Sequence, residues 1–162
     1  MPYSFKEIEL KLKQSFINLK DGFYSTILND ACESIFYVAV IIPHRDRISH
    51  LKILLNNLHR FISKQKINFK IFVVEPVKNI TFNRALLFNI GYIESLKIDV
   101  KSNSNYKWDC FILHDVDLIP ENTQISYKCD SLHPLHLSVT SNDWNYMYVY
   151  VLIYFIFYSI IS

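Results

Sequence analysis

Glycine is almost missing from this 162-residue chain, with only Gly22 and Gly91 present. Two isolated glycines exclude a Gly-rich phosphate loop, so any phosphate chemistry must rest on side chains. Cysteine is scarce and odd in number: Cys32, Cys110 and Cys129 show no metal-ligand spacing. A strong charge is also lacking. The formal net charge is +2 and the basic residues are scattered, which leaves no electrostatic case for a nucleic-acid partner. At 20% charged residues the chain has too many charges for an integral membrane bundle and too few for a disordered one. With 51% hydrophobic residues, its length suits one domain with a real core.

The two ends differ. "MPYSFKEIELKLKQSF" is amphipathic and charged, unlike a signal peptide or anchor. "WNYMYVYVLIYFIFYSIIS" carries no charge, and its longest apolar run, 146–158, is shorter than the ~20 residues of a membrane helix. Its Tyr, Val, Ile and Phe favour strand as much as helix, so membrane association through this tail stays open as one reading.

Between the ends, the pattern alternates. Ser4-Phe5-Lys6-Glu7 reads as a capping box, followed by Phe5, Ile8, Leu12, Phe16 and Leu19 at helical spacing, with Gly22 as a stop. "YVAVII" (37–42), closed by Pro43, has the continuous apolar character of a strand buried on both faces. Ser49 is placed to cap a helix whose inner face is Leu51, Leu54, Leu55, Leu58, Phe61 and Ile62. "FKIFVV" reads as a second buried strand, residues 82–96 as another helix and "CFIL" as a third strand. Strand, helix, strand, helix, strand with short connections predicts an α/β fold with a parallel sheet.

Ligands of such sheets bind outside the carboxyl ends of the strands. Three polar clusters fall there: "PHRDR" (43–47), "TFNRA" (81–85) and "HDVD" (114–117). Two carboxylates one residue apart, Asp115 and Asp117, suit a hard cation such as Mg²⁺ or Mn²⁺. Arg45, Arg47 and Arg84 can meet phosphate oxygens, and Phe82 can offer its ring to a base. Together they describe a nucleoside-diphosphate site with a bridging cation. Plainer readings exist for each part. A D-x-D at a strand end is common, Arg45 and Arg47 can pair with Asp46 and nearby acids on a solvated loop, and Phe82 can be a core residue at a helix start. His133 and His136 flank Pro134, which breaks the helical face a zinc pair would need. His114 beside the aspartates reads as structural.

In order and spacing, "VAVIIPHRDR", "HLKILLNNLHRFISKQ", "FNRALLFNIGYIESL" and "WDCFILHDVDLIPEN...YKC" resemble the β-1,4-galactosyltransferase family, over roughly residues 22–139. The resemblance implies a GT-A, Rossmann-like nucleotide-sugar fold. It also implies inverting transfer of galactose from UDP-galactose, with manganese, to a terminal N-acetylglucosamine or related acceptor. Carried over by position, the UDP-sugar contacts fall on Pro43, Arg45, Arg47, Phe82, Arg84, Asp115 and Val116, and the manganese ligand on Asp117. Cys110 and Cys129 match a family disulfide, as expected of a Golgi-lumenal protein. Cys32 matches a second disulfide cysteine whose partner lies upstream in the family. Asn79-Ile80-Thr81 is an N-glycosylation sequon close to Phe82.

The resemblance fades after "HLSVT". The family's Trp- and Gly-rich motif with its acids, which supplies the catalytic base, has no counterpart here, nor do the Met and His that complete its manganese shell. No catalytic base is assigned. The expected organisation is an N-terminal helix and lead-in over 1–36, a donor-binding domain over 37–140 and a hydrophobic non-family tail over 141–162. Such a chain is expected to be a truncated donor half, inactive alone. The alternative is a non-catalytic remnant serving as a membrane-associated binding protein.

Overall fold

The computed structural model describes residues 36–98, 107–130 and 132–137, together with the backbone of two-residue strands at 19–20, 23–24 and 155–156. Its centre is strand β3, Tyr37–Pro43, buried along its whole length. Helix α1 (Ile48–Ser63) leads to β4 (Asn68–Val74), and helix α2 (Arg84–Leu96) precedes β5 (Cys110–Leu113). β4 and β5 flank β3, both parallel to it, with Pro43 opposite Val74 and Ile41 opposite Leu113. The expected order and parallel sheet are therefore present.

Side-chain alternation along β3 explains why it is buried on both faces. Val38, Val40 and Ile42 point into one core with Leu51, Leu54, Leu58 and Ile62 of α1, Phe69 and Ile112. Tyr37, Ala39 and Ile41 point into the other, with Phe88 of α2, Trp108 and Phe111; Tyr92 packs against it. The two helices thus cover opposite faces. Gly91 permits the close approach of α2: a Cβ there would collide with Ile41 Cγ2 and lie 2.7 Å from Val74 Cγ2. Trp108 seals the far end, donating its indole N–H to Ser95 O at 2.9 Å.

Several sequence expectations are corrected. Ser49 is not the cap of α1; Arg47 holds that position without a side-chain cap bond. The inner face of α1 includes His59, which is buried, while Phe61 only packs against the core's edge. Helix α2 begins at Arg84 rather than at Phe82, because Asn83 caps it by accepting from Leu86 N at 3.0 Å. β4 is not buried throughout: Val73 is 41% exposed. The physical reason is its outer edge, where among the described residues antiparallel partners face Phe69 and Lys70 alone, on β2 (Phe23–Tyr24). Leu19, assigned to a helical apolar face, instead pairs with Tyr24 in β1 (Leu19–Lys20). The rest of that helix lies outside the described residues, as does Cys32.

β1 and β2 extend the sheet on one side and β6 (Phe155–Ile156) on the other, giving the order β1-β2-β4-β3-β5-β6. Part of the expected lead-in and part of the expected tail thus share one sheet with the central strands. Ile156 stands opposite Phe111 and Phe155 opposite Ile112. Among the described residues no helix is long and apolar enough to cross a membrane.

Candidate nucleotide-sugar site

The carboxyl ends of β3, β4 and β5 lie side by side, and their chain continuations supply the site. His44 N donates to Val74 O and His114 N to Ile41 O, each at 2.9 Å, so the two following loops leave the sheet in fixed register. The chain runs from β3 out to β4 on one side, then back across to β5 on the other. That places the loops after β3 and β5 at the switch in strand order, where α/β sheets open a crevice.

The sequence clusters meet there, in pairs the sequence left open. Arg84, the first residue of α2, clamps Asp115 in a two-pronged bond, Nε to Oδ1 at 2.6 Å and Nη2 to Oδ2 at 2.7 Å. Arg47 pairs with Asp117. Arg47 thus meets an acid outside its own loop, in a pair that is exposed on both sides. Arg45 is half-buried, its guanidinium carbon 5.6 Å from the centre of the Phe82 ring. Arg45 Nη2 is buried with no hydrogen-bond partner. Phe82 is 42% exposed, which suits a ring platform rather than a core residue. Val116 lies between the aspartates with its side chain in the α1-side core, so only its backbone is free for a ligand. Pro43 ends β3 at the site's floor.

Residues outside the predicted set hold the loops. His114 is fully buried: Nδ1 is 2.7 Å from Asp115 O and Nε2 is 3.0 Å from the Tyr127 hydroxyl. Desolvation lowers the pKa of His114, against the opposing pull of the Asp115 carbonyl and of both carboxylates. Burial pushes the Tyr127 hydroxyl up. Gln65 receives Tyr127 N–H on Oε1 at 2.7 Å and gives Nε2–H to Ile125 O at 2.8 Å. Cys110 and Cys129 form the expected disulfide, Cα atoms 5.7 Å apart, closing the D-V-D loop into a ring. No sequence pattern marked Gln65, because its partners lie about sixty residues away. His133 sits exposed in a loop, 3.4 Å from Asp130, and takes no part in the site.

Among the described residues no group of three or more His, Cys, Asp or Glu converges. Asp117, half-exposed and opposed only by Arg47, can offer one hard oxygen ligand. Both Asp115 oxygens are taken by Arg84. A small hard cation bound by one or two carboxylates, with phosphate and water completing its shell, fits this donor set.

Residues 3–130 match the family model for the N-terminal region of glycosyl transferase group 7. The chain belongs to the β-1,4-galactosyltransferase family. Within this family it is 44% identical over 115 residues to Beta-1,4-galactosyltransferase 4 of Homo sapiens, covering 71% of this chain and 31% of the relative. It is 41% identical over 140 residues to the Beta-N-acetyl-D-glucosaminide beta-1,4-N-acetylglucosaminyl-transferase of Lymnaea stagnalis, covering 86% of this chain and 27% of that one. The chain therefore spans about a third or less of the length of these curated relatives. A solved Drosophila β-1,4-galactosyltransferase 7 mutant, in complex with manganese, UDP-Gal and xylobiose, superposes with a TM-score of 0.60 at 29% identity. The match covers 75% of this chain and 49% of that one. The fold is thus the GT-A nucleotide-sugar fold of the galactosyltransferases.

Proposed function

We propose that this chain is the donor-binding part of a hexosyltransferase that takes galactose from UDP-galactose to a terminal N-acetylglucosamine-type acceptor, with manganese, in the Golgi lumen. The observation that carries the reading is Arg45, whose buried Nη2 lacks a partner beside two Arg–Asp pairs and an exposed aromatic ring. A buried guanidinium nitrogen is costly unless an acceptor meets it, and a diphosphate oxygen is such an acceptor. Phe82 would stack on uracil, Arg45 and Arg47 would hold the diphosphate, and Arg84 with Asp115 would present a polar edge to the sugar. Asp117 would hold the cation, which supplies charge neutralisation to the diphosphate leaving group when bound. The protein's share is orientation: the loops are pinned by His114, Gln65 and the disulfide, so the donor meets a preset surface. A lumenal location is supported by the disulfide, which persists in oxidising compartments.

The relatives differ in sugar: the Lymnaea protein is named for the transfer of N-acetylglucosamine rather than galactose. Calorimetry with UDP, UDP-galactose and UDP-N-acetylglucosamine, each with manganese and with chelator, tests both points. Manganese-dependent binding of UDP that is lost in Asp117→Ala and weakened in Arg84→Ala supports the reading. Equal UDP affinity with manganese and with chelator removes the metal from it. Tighter binding of UDP-N-acetylglucosamine than of UDP-galactose reassigns the sugar.

A further inference from the structure

The β4–α2 connection carries the chain's one N-x-S/T sequence, Asn79-Ile80-Thr81. Every residue of 77–83 is exposed, with Val77 at 74% and Ile80 at 54%. Asn79 sits in a turn at φ 69°, a left-handed conformation that asparagine tolerates better than most residues. A sequon is used only if the folded chain can afterwards house the glycan, and an exposed turn meets that condition. A second, independent observation concerns compartment. The Cys110–Cys129 bridge belongs to the oxidising lumen, which is also where lipid-diphosphate-linked oligosaccharides are transferred to asparagine.

We infer that Asn79 carries an N-linked glycan, and that this glycan stands at the rim of the nucleotide site and slows entry past Phe82. In the transfer, the Asn79 side-chain nitrogen forms a bond to the sugar's anomeric carbon and gives up one proton. The bond from that carbon to the lipid diphosphate breaks, and the diphosphate leaves with the electron pair. The rim position follows from chain length: Asn79 and Phe82 are three residues apart, at most ~10 Å of extended chain, which a branched oligosaccharide spans easily. The glycan also covers Val77 and Ile80, apolar side chains otherwise left in water. The rim limb rests on the proposed donor site; the modification itself does not.

The test is to express the full chain in a eukaryotic secretory lumen behind a cleavable leader and map its peptides. Release of the glycan by amidase in heavy-oxygen water should leave a labelled aspartate at position 79. Thr81→Ala should abolish the label and Thr81→Ser should keep it. A chain whose Cys110–Cys129 bridge has formed while Asn79 stays bare overturns the modification, because the bridge shows that the chain folded in the lumen. Stopped-flow binding of UDP with manganese then compares the glycosylated chain, the trimmed chain and Asn79→Gln. Association several-fold faster in the last two supports the rim position, and equal rates overturn it. If neither the trimmed chain nor Asn79→Gln binds UDP, the donor-site reading itself fails, while the glycan assignment stands on its mapping.

Discussion

At the scale of single residues, the site holds its charges against one another. Arg47 takes Asp117, and Arg84 takes Asp115 through two bonds. A cation arriving at Asp117 must displace Arg47, which is then released to phosphate, so the two ligands should help each other bind. Arg47→Ala is therefore expected to tighten manganese alone while weakening UDP in its presence, both read by calorimetry. Weaker binding of manganese alone in that variant would show that Arg47 supports the metal rather than competing with it. Phe82→Ala should cost uridine nucleotides roughly 1–3 kcal/mol through lost stacking. The members of this site were legible in the sequence because strand ends mark where ligands sit. Their pairing was not. Arg47 and Asp117 lie 70 residues apart, and only the register of β5 against β3 brings them together.

At the scale of elements, Gly91 shows why a helix-weakening residue is kept in mid-helix. Glycine costs a helix ~1 kcal/mol relative to alanine, but here a methyl group would meet Ile41 and Val74 on the sheet. Gly91→Ala should therefore destabilise by about 1–3 kcal/mol through overpacking, despite its better helix propensity. Urea denaturation would check this, and an unchanged or raised midpoint would mean that α2 can slide outward freely. The same helix carries Arg84 at its first position, so the displaced α2 should also loosen the clamp on Asp115. The disulfide acts on a second element, the loop after β5. Cys129→Ser should cost about 2–4 kcal/mol, with a fall in nucleotide affinity as the D-V-D loop loses its tie to β5. Elements with a strong pattern, the helical spacing of α1 and α2 and the continuous apolar runs of the three parallel strands, could be read from the sequence. Their ends could not: α2 is capped by the Asn83 side chain, and α1 starts at Arg47 with no side-chain cap at all. The paired β1, β2 and β6 escaped too: two-residue strands carry no period, and their partners on β4 and β5 are set by tertiary contact alone.

At the scale of the whole molecule, the α1 side of the sheet holds buried imidazoles that the hydrophobic pattern concealed, and these shape how the fold responds to acid. His59 packs on the α1 side, its ring centre 5.3 Å from that of Phe69, and desolvation lowers its pKa from 6.5 to about 4. His114 is lowered as well, by burial beneath the D-V-D loop. In the unfolded chain both imidazoles take up protons nearer their ordinary value, so the unfolded state binds more protons across the interval between. Stability contributed by the neutral form is therefore fully present above about pH 6.5 and is lost as pH falls toward the folded value. For His59 alone, the gap between 6.5 and about 4 corresponds to roughly 3 kcal/mol. Asp109, whose carboxyl is raised by burial against the hydrogen bond from Tyr37 N, runs the other way and softens the loss at the acid end. Denaturation midpoints measured at neutral pH and near pH 5 should differ markedly in the native chain and less so in His59→Leu, which keeps the buried volume without the titrating ring. The residual slope in that variant would contain the share of His114, offset by Asp109. If His59→Leu kept the full acid dependence, the loss would have to originate under the nucleotide site, and donor affinity would then fall in step with stability as the medium acidifies.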